Sequence, residues 1–199
     1  MSPKFSWKKL KRIAEILKNG GIGVLPTDTI YGLVGSALNQ KTIRRIYGLR
    51  KRDFRKPLII LISSLKDLKL FSVKLSTKTK RLLNKLWPGK VSVILPCPSK
   101  KFSYLHRGTK TLAFRLPRPK FLRQLLELTG PLVAPSANLQ GLPPASTIKE
   151  AKKYFSAKVD FYVNAGKLNS PPSTLISVRN GKISVLREGA VKICNKQEK

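Results

Sequence analysis

The sequence predicts one domain of mixed α and β structure, and three observations carry that prediction. Short apolar runs alternate with amphipathic stretches of helical period along the whole chain. The 199 residues suffice for a single domain burying roughly 70% of its unfolded surface, and are short for two full-sized ones. No low-complexity linker divides residues 1–199, so they are read as one unit ending in a short basic tail.

The elements follow in order. Trp7, Leu10, Ile13, Ala14 and Leu17 recur at helical spacing with lysines between them, and Gly20-Gly21 stops that first helix. Ile22 to Leu25 is an apolar run ending at Pro26; Ile30 to Val34 is a second, across Thr27-Asp28-Thr29, giving strand–loop–strand or strand–loop–helix. A helix from about Asn39 carries Ile43, Ile46 and Tyr47, and the basic Arg50 to Lys56 leads into the β-like Pro57 to Ile62. Ser76 caps a helix with Leu82, Leu83 and Leu86, stopped by Pro88-Gly89. Val91 to Leu95 and Thr111 to Leu116 are strands flanking a Pro/Ser/Lys-rich loop, and Phe121 to Leu128 is a helix closed by Gly130-Pro131. Leu132 to Pro135 is short and apolar. A Gly/Pro loop at 141–144 precedes a helix from about Thr147, then strands near Val159 to Val163 and Leu175 to Val178. Asn180-Gly181 is a hairpin signal joining the last of these to Lys182 to Leu186.

Composition narrows the chemistry. With 41 Lys and Arg against 9 Asp and Glu, the formal net charge is +32. One histidine (His106) and two distant cysteines (Cys97, Cys194) cannot form a conventional Cys/His zinc site, and any triad would rest on one imidazole. The carboxylates are scattered, with no DxD cluster for two metals. Two cysteines form no disulfide framework, which fits a reducing cytosol. No apolar run approaches the roughly 20 residues of a membrane span. Met1 to Arg12 is basic but lacks a following apolar signal region, so a cytoplasmic protein is expected. The remaining chemistry is that of cations and hydrogen-bond donors acting on an anionic substrate.

Two polar pairs share a spacing: Arg50 with Arg52, and Ser136 with Asn138. On extended backbone each pair projects to one side; on a helix it does not. The alternatives are a solvated basic loop for the arginines and a plain turn for Ser136-Ala137-Asn138. Pro26 to Leu33 packs hydroxyls, a carboxylate and a glycine directly after a strand, as either a capped turn or a site. Arg115, alternating with Leu112, Phe114 and Leu116, is either an outward solvent charge or a fork for an anionic ligand.

Read together, Pro26-Thr27-Asp28-Thr29-Ile30-Tyr31-Gly32-Leu33, Arg50-Lys51-Arg52 to Lys56-Pro57-Leu58, Leu86-Trp87-Pro88-Gly89, Thr111 to Pro117, Ala134 to Gly141, Ser173-Thr174-Leu175-Ile176 and Leu186-Arg187-Glu188-Gly189 resemble the successive signatures of the YrdC/Sua5 family of threonylcarbamoyl-AMP synthases. The likeness runs from about residue 10 to residue 190. It implies an α+β, YrdC/RibB-like fold: a twisted mixed sheet flanked by helices, with a positively charged concave cavity. It also implies a reaction in which L-threonine, bicarbonate and ATP give threonylcarbamoyl-adenylate and pyrophosphate, the first step of t6A modification at adenosine 37 of tRNA, completed by a separate transferase complex. ATP is a substrate, bringing Mg2+ on its phosphates.

The resemblance also assigns residues. The family's nucleotide-site tetrad falls on Arg50, Arg52, Ser136 and Asn138 as the catalytic set, with Thr111 and Arg187 as further ATP contacts. Thr27, Arg115, Ala134, Ser173 and Thr174 are assigned to threonine and its carbamate. No protein metal ligand is assigned; Asp28 is the one nearby candidate. The first tetrad position is usually Lys, so either Arg50 fills it or Lys51 turns inward. Leu61 stands where some longer members carry a histidine, and the twelve residues after Arg187 imply the short single-domain type. A non-catalytic protein binding double-stranded RNA or tRNA through its charge is the alternative. Carbamoyl transfer, as in the related hydrogenase-maturation domain, lacks that protein's zinc-finger and acylphosphatase-like segments here.

Overall fold

Both apolar runs around Thr27-Asp28-Thr29 are strands. In the computed structural model, which describes residues 6–54, 57–179 and 182–193, β1 (Gly23–Pro26) and β2 (Tyr31–Ser36) pair antiparallel, Val24 opposite Leu33. The later strands are β3 (Ile59–Leu61), β4 (Val91–Pro96), β5 (Thr111–Arg115), β6 (Leu132–Val133), β7 (Phe161–Tyr162), β8 (Thr174–Arg179) and β9 (Lys182–Arg187). They form one nine-stranded mixed, twisted sheet in the order β7-β1-β2-β6-β3-β5-β4-β8-β9. Parallel pairs (β1/β7, β3/β5, β4/β8) are interleaved with antiparallel ones. The hairpin signal Asn180-Gly181 lies outside the described residues, but its flanking strands pair antiparallel, Ser177 opposite Ser184.

The helices are α1 (Trp7–Lys18), α2 (Gln40–Leu49), α3 (Thr77–Leu86), α4 (Ser103–His106), α5 (Lys120–Thr129) and α6 (Ile148–Phe155). Their starts follow side-chain chemistry. Asn39, Ser76 and Thr147 each accept a backbone N–H from three residues on, satisfying a donor that the helix leaves unpaired. Gly130, at φ +75°, closes α5 in a conformation a β-carbon would strain. Trp7 differs from the expectation: it is exposed, with the Lys11 ammonium over its ring, while Leu10, Ile13, Ala14 and Leu17 form the buried stripe.

The Pro/Ser/Lys-rich loop is partly helical, a 310 turn at Lys100–Phe102 running into α4, because Phe102 and Leu105 are buried. A further 310 segment, outside the elements expected from the sequence, spans Leu65–Phe71. The Asp67 carboxylate anchors its start, accepting from the N–H groups of Ser63 and Ser64 and from Ser63 Oγ.

Period-two alternation sends the strands' side chains into two layers. Val24, Leu33, Ile60, Val133 and Phe114 join the larger core, with Ile43, Ile46 and Tyr47 of α2, Leu83 of α3, Leu105 of α4 and Phe155 of α6. Leu25, Val34, Leu61 and Leu132 face the other way, against Leu17 of α1 and Leu122, Leu125 and Leu126 of α5. The two helices cover part of that second face. Beyond them, Ala113 and Arg115 of β5, Ile94 of β4 and Leu175 of β8 are left without a helix, and the site forms there. No helix among the described residues is long and apolar enough to cross a membrane.

Candidate active site

Two adjoining chambers rest on this bare stretch of sheet. The larger, about 220 Å3, has a floor of Leu58, Ile59, Ile94, Ala113 and Leu175 and a polar rim of Arg50, Arg52, Thr111, Ser136 and Arg187. The smaller, about 130 Å3, is lined by Thr27, Thr29, Arg115, Ala134, Ser136, Ser173 and Arg187, among others. Ile59, Ser136 and Arg187 stand in both walls. Neither described lining includes Asp or Glu.

Arg50 ends α2, with helical φ and ψ, and the chain then turns sharply through Lys51 at φ +49°. The Arg50–Arg52 pair is therefore not extended. The turn nevertheless sends both arginines into the chamber wall while Lys51 is exposed. Arg50 is only 2% exposed and is held at three points: Nε donates to the Asn138 carbonyl (3.1 Å), and Nη2 to Ser136 Oγ (3.1 Å) and Asn138 Oδ1 (2.9 Å). Its buried Nη1 has no hydrogen-bond partner among the described residues. Burial, and then the charge of Arg52, push the Arg50 guanidinium down to about 10, so it stays protonated at neutral pH. Arg52 and Arg187 are lowered chiefly by desolvation, Arg187 also by Arg52. These crowded cations would be relieved by a polyanion.

Ser136 takes its direction from Arg50. A hydroxyl that accepts from a guanidinium keeps its own proton for another acceptor, so Ser136 faces both chambers as a donor.

In the smaller chamber Arg115 is no solvent charge. It is 4% exposed; its Nη2 lies 3.2 Å from Asp28 Oδ1, and its Nη1 donates to Thr29 Oγ1 (3.2 Å). Desolvation lowers its pKa against the opposing pull of Asp28. Thr27 Oγ1 donates to the Ile30 carbonyl (2.7 Å), so in its 3.0 Å contact with Thr29 Oγ1 it is the Thr29 hydroxyl that donates. Asp28 Oδ2 accepts the Arg118 N–H, so this carboxylate is committed within the chain. No group of three or more His, Cys, Asp or Glu among the described residues could hold a metal ion.

A family profile for Sua5, YciO and YrdC, described as telomere recombination, matches residues 15–189. The chain belongs to the Sua5/YciO/YrdC family. A putative threonylcarbamoyl-AMP synthase of Methanocaldococcus jannaschii is 33% identical over 189 residues, covering 92% of this chain and 88% of that protein. The threonylcarbamoyl-AMP synthase of Pyrococcus abyssi is 28% identical over 185 residues, and the chain spans 54% of its length. The crystal structure of P. abyssi Sua5 with L-threonine superposes with a TM-score of 0.87 at 28% identity, over 94% of this chain and 56% of that one. Escherichia coli YciO superposes at 0.84 with 25% identity, over 95% and 93%. The α+β, twisted mixed-sheet architecture is thus that of the Sua5/YciO/YrdC family.

Against that fold, the residues assigned to ATP (Arg50, Arg52, Thr111, Ser136, Arg187) all line the larger chamber. Thr27, Arg115, Ala134 and Ser173 line the smaller one. Two others sit elsewhere. Asn138 lies behind Arg50, its Nδ2 donating to the carbonyls of Leu139 (3.0 Å) and Leu142 (2.6 Å). Thr174 is fully buried and exchanges hydrogen bonds with Val191, tying the segment after β9 to β8. Leu61, at the position of the longer members' histidine, belongs to the α1–α5 layer. Thr29 and Ser92 carry no assignment from the resemblance: Thr29 lies inside the Pro26–Leu33 signature, while Ser92 is a buried hydroxyl with no motif to flag it.

The strap after β9 approaches Ser173 closely enough to require Gly189. A β-carbon there would lie 2.3 Å from the Pro172 carbonyl oxygen and 2.6 Å from the Thr174 nitrogen, both backbone. Gly189→Ala is expected to cost about 1–3 kcal/mol of stability through overpacking, read as a lower thermal midpoint.

Proposed function

We propose that this chain makes threonylcarbamoyl-adenylate from L-threonine, bicarbonate and ATP, as a nucleotidyltransferase supplying tRNA t6A synthesis. The observation that carries the reading is the pair of chambers: one rimmed by arginines, one lined by hydroxyls and a buried arginine, sharing Ser136 and Arg187 in their common wall. Two anionic reactants held on either side of such a wall can meet across it.

The amine of threonine and bicarbonate combine to a carbamate with loss of water. A carbamate oxygen then attacks the α-phosphorus of ATP, and the bond to the bridging oxygen of pyrophosphate breaks. The nucleophile comes from the substrate, so no enzyme nucleophile is needed, and the chain's task is orientation and charge stabilisation. Arg50 and Arg52 hold the triphosphate, Arg187 joins them, and the Ser136 hydroxyl donates to the oxygens at the junction. Arg115 and Ser173 bond threonine and its carbamate, with Thr27 and Ala134 shaping the wall they lie against. Asn138 positions Arg50, and Thr174 holds the Ser173 segment. Mg2+ enters with ATP as part of the substrate, since the one nearby carboxylate, Asp28, is committed to Arg115 and Arg118. The product passes to a separate transferase complex acting on adenosine 37, and the reducing cytosol suits a chain whose Cys97 is a buried free thiol.

The test is product identification. With ATP, bicarbonate and L-threonine, mass spectrometry should find threonylcarbamoyl-adenylate. Salt-sensitive tRNA binding with no such product would replace this reading by a nucleic-acid-binding one.

A further inference from the structure

Beneath the smaller chamber lies a second layer of hydroxyl chemistry. Ser92, on β4, is fully buried, and its Oγ lies 2.8 Å from Ser173 Oγ. Ser173 is itself 3% exposed and stands in the chamber wall. From the other side Arg187 Nη2 donates to the Ser173 carbonyl (2.7 Å) and reaches Ser173 Oγ at 3.4 Å. The link therefore joins three strands of the sheet: β4, the entry to β8, and β9.

We infer that Ser92 is a positioning residue that fixes the Ser173 hydroxyl as a hydrogen-bond donor toward a carboxylate or carbamate in the smaller chamber. A hydroxyl has one proton and two lone pairs. Were Ser173 to donate to Ser92, the Ser92 proton would be left in the sheet interior without an acceptor among the described residues, an arrangement that burial penalises. With Ser92 donating instead, Ser173 accepts from Ser92 and Arg187 and keeps its own proton for the chamber. Thr27 cannot serve this way, because its proton goes to the Ile30 carbonyl and its oxygen accepts from Thr29 N–H and Thr29 Oγ1. Ser173 is then the smaller chamber's own hydroxyl donor, beside the shared Ser136, and its direction is set one residue further back.

This inference rests on the proposed reaction and is tested within it by a double-mutant cycle on threonine KM. Ser92→Ala is expected to raise threonine KM about tenfold, as loss of an oriented donor to a charged group does, with ATP KM within about twofold of wild type. Ser173→Ala should raise threonine KM similarly. Because Ser92 acts through Ser173, the double variant should match Ser173→Ala alone. An unchanged threonine KM in Ser92→Ala overturns the inference. So does an additive increase in the double variant, or a parallel rise in ATP KM, since either marks a general packing role for Ser92. Wild-type protein that releases no pyrophosphate in response to threonine overturns the reaction itself, and that result is read without any variant.

Discussion

Arg50→Ala lowers threonine-dependent pyrophosphate release by about 10^3-fold or more, the scale of losing a preorganised charge together with the groups it orients. The guanidinium is both a cation in the larger chamber and the anchor for Ser136 and Asn138, which it holds with three hydrogen bonds. Alanine leaves Asn138 Oδ1 without that partner in a site that is 6% exposed, and lets the Ser136 hydroxyl turn its proton elsewhere. Arg50→Lys separates the two roles. An ammonium restores the charge, which is what the usual family pattern supplies, but not the planar three-point grip of the fork. The expected result is a loss of about tenfold for lysine against about 10^3-fold for alanine, with both variants folded by circular dichroism. Equal losses would mean that geometry rather than charge dominates. Lys51, exposed beside it, should be replaceable by alanine at little cost.

The second large effect is on stability. Asp28 and Arg115 form an ion pair with side chains 6% and 5% exposed, so Asp28→Ala strands a cation in the protein and is expected to cost about 3–5 kcal/mol. For a chain of this size that is a fall of about 10 °C in thermal midpoint. Removing both charges, in Asp28→Ala with Arg115→Met, should recover most of the stability, because the uncompensated charge is gone. Threonine-dependent activity should not recover, since the smaller chamber loses the Arg115 guanidinium, leaving only Arg187 at its edge with the larger one. A double variant as unstable as Asp28→Ala would show that packing, not the stranded charge, sets the cost.

What could be read from the sequence was local. Caps at Asn39, Ser76 and Thr147, the stop at Gly130 and the alternation in β5 follow from side-chain chemistry within a few residues. The resemblance placed the site residues along the chain, but not how they meet. That Arg115 is paired with Asp28, 87 positions earlier in the sequence, depends on β6 entering the sheet between β2 and β3, an order no local pattern encodes. The Arg50–Arg52 spacing would put both side chains on one side only on extended backbone; the residues instead sit on a helix end followed by a left-handed turn, and Arg50 is fixed by tertiary contacts with Ser136 and Asn138. Ser92 was invisible because a lone serine in an apolar strand carries no signal until its partner across the sheet is known. The +32 charge is likewise sharpened: four arginines converge on the two chambers, while Lys51 and the lysines of the first helix are exposed.

If the two chambers join an amino-acid carbamate to a nucleotide, pyrophosphate release from ATP, with bicarbonate present, depends on the amino acid. Its rate should rise and saturate with L-threonine and be lost in Arg52→Ala. Release indifferent to L-threonine, or none at all from folded protein, would contradict that reaction.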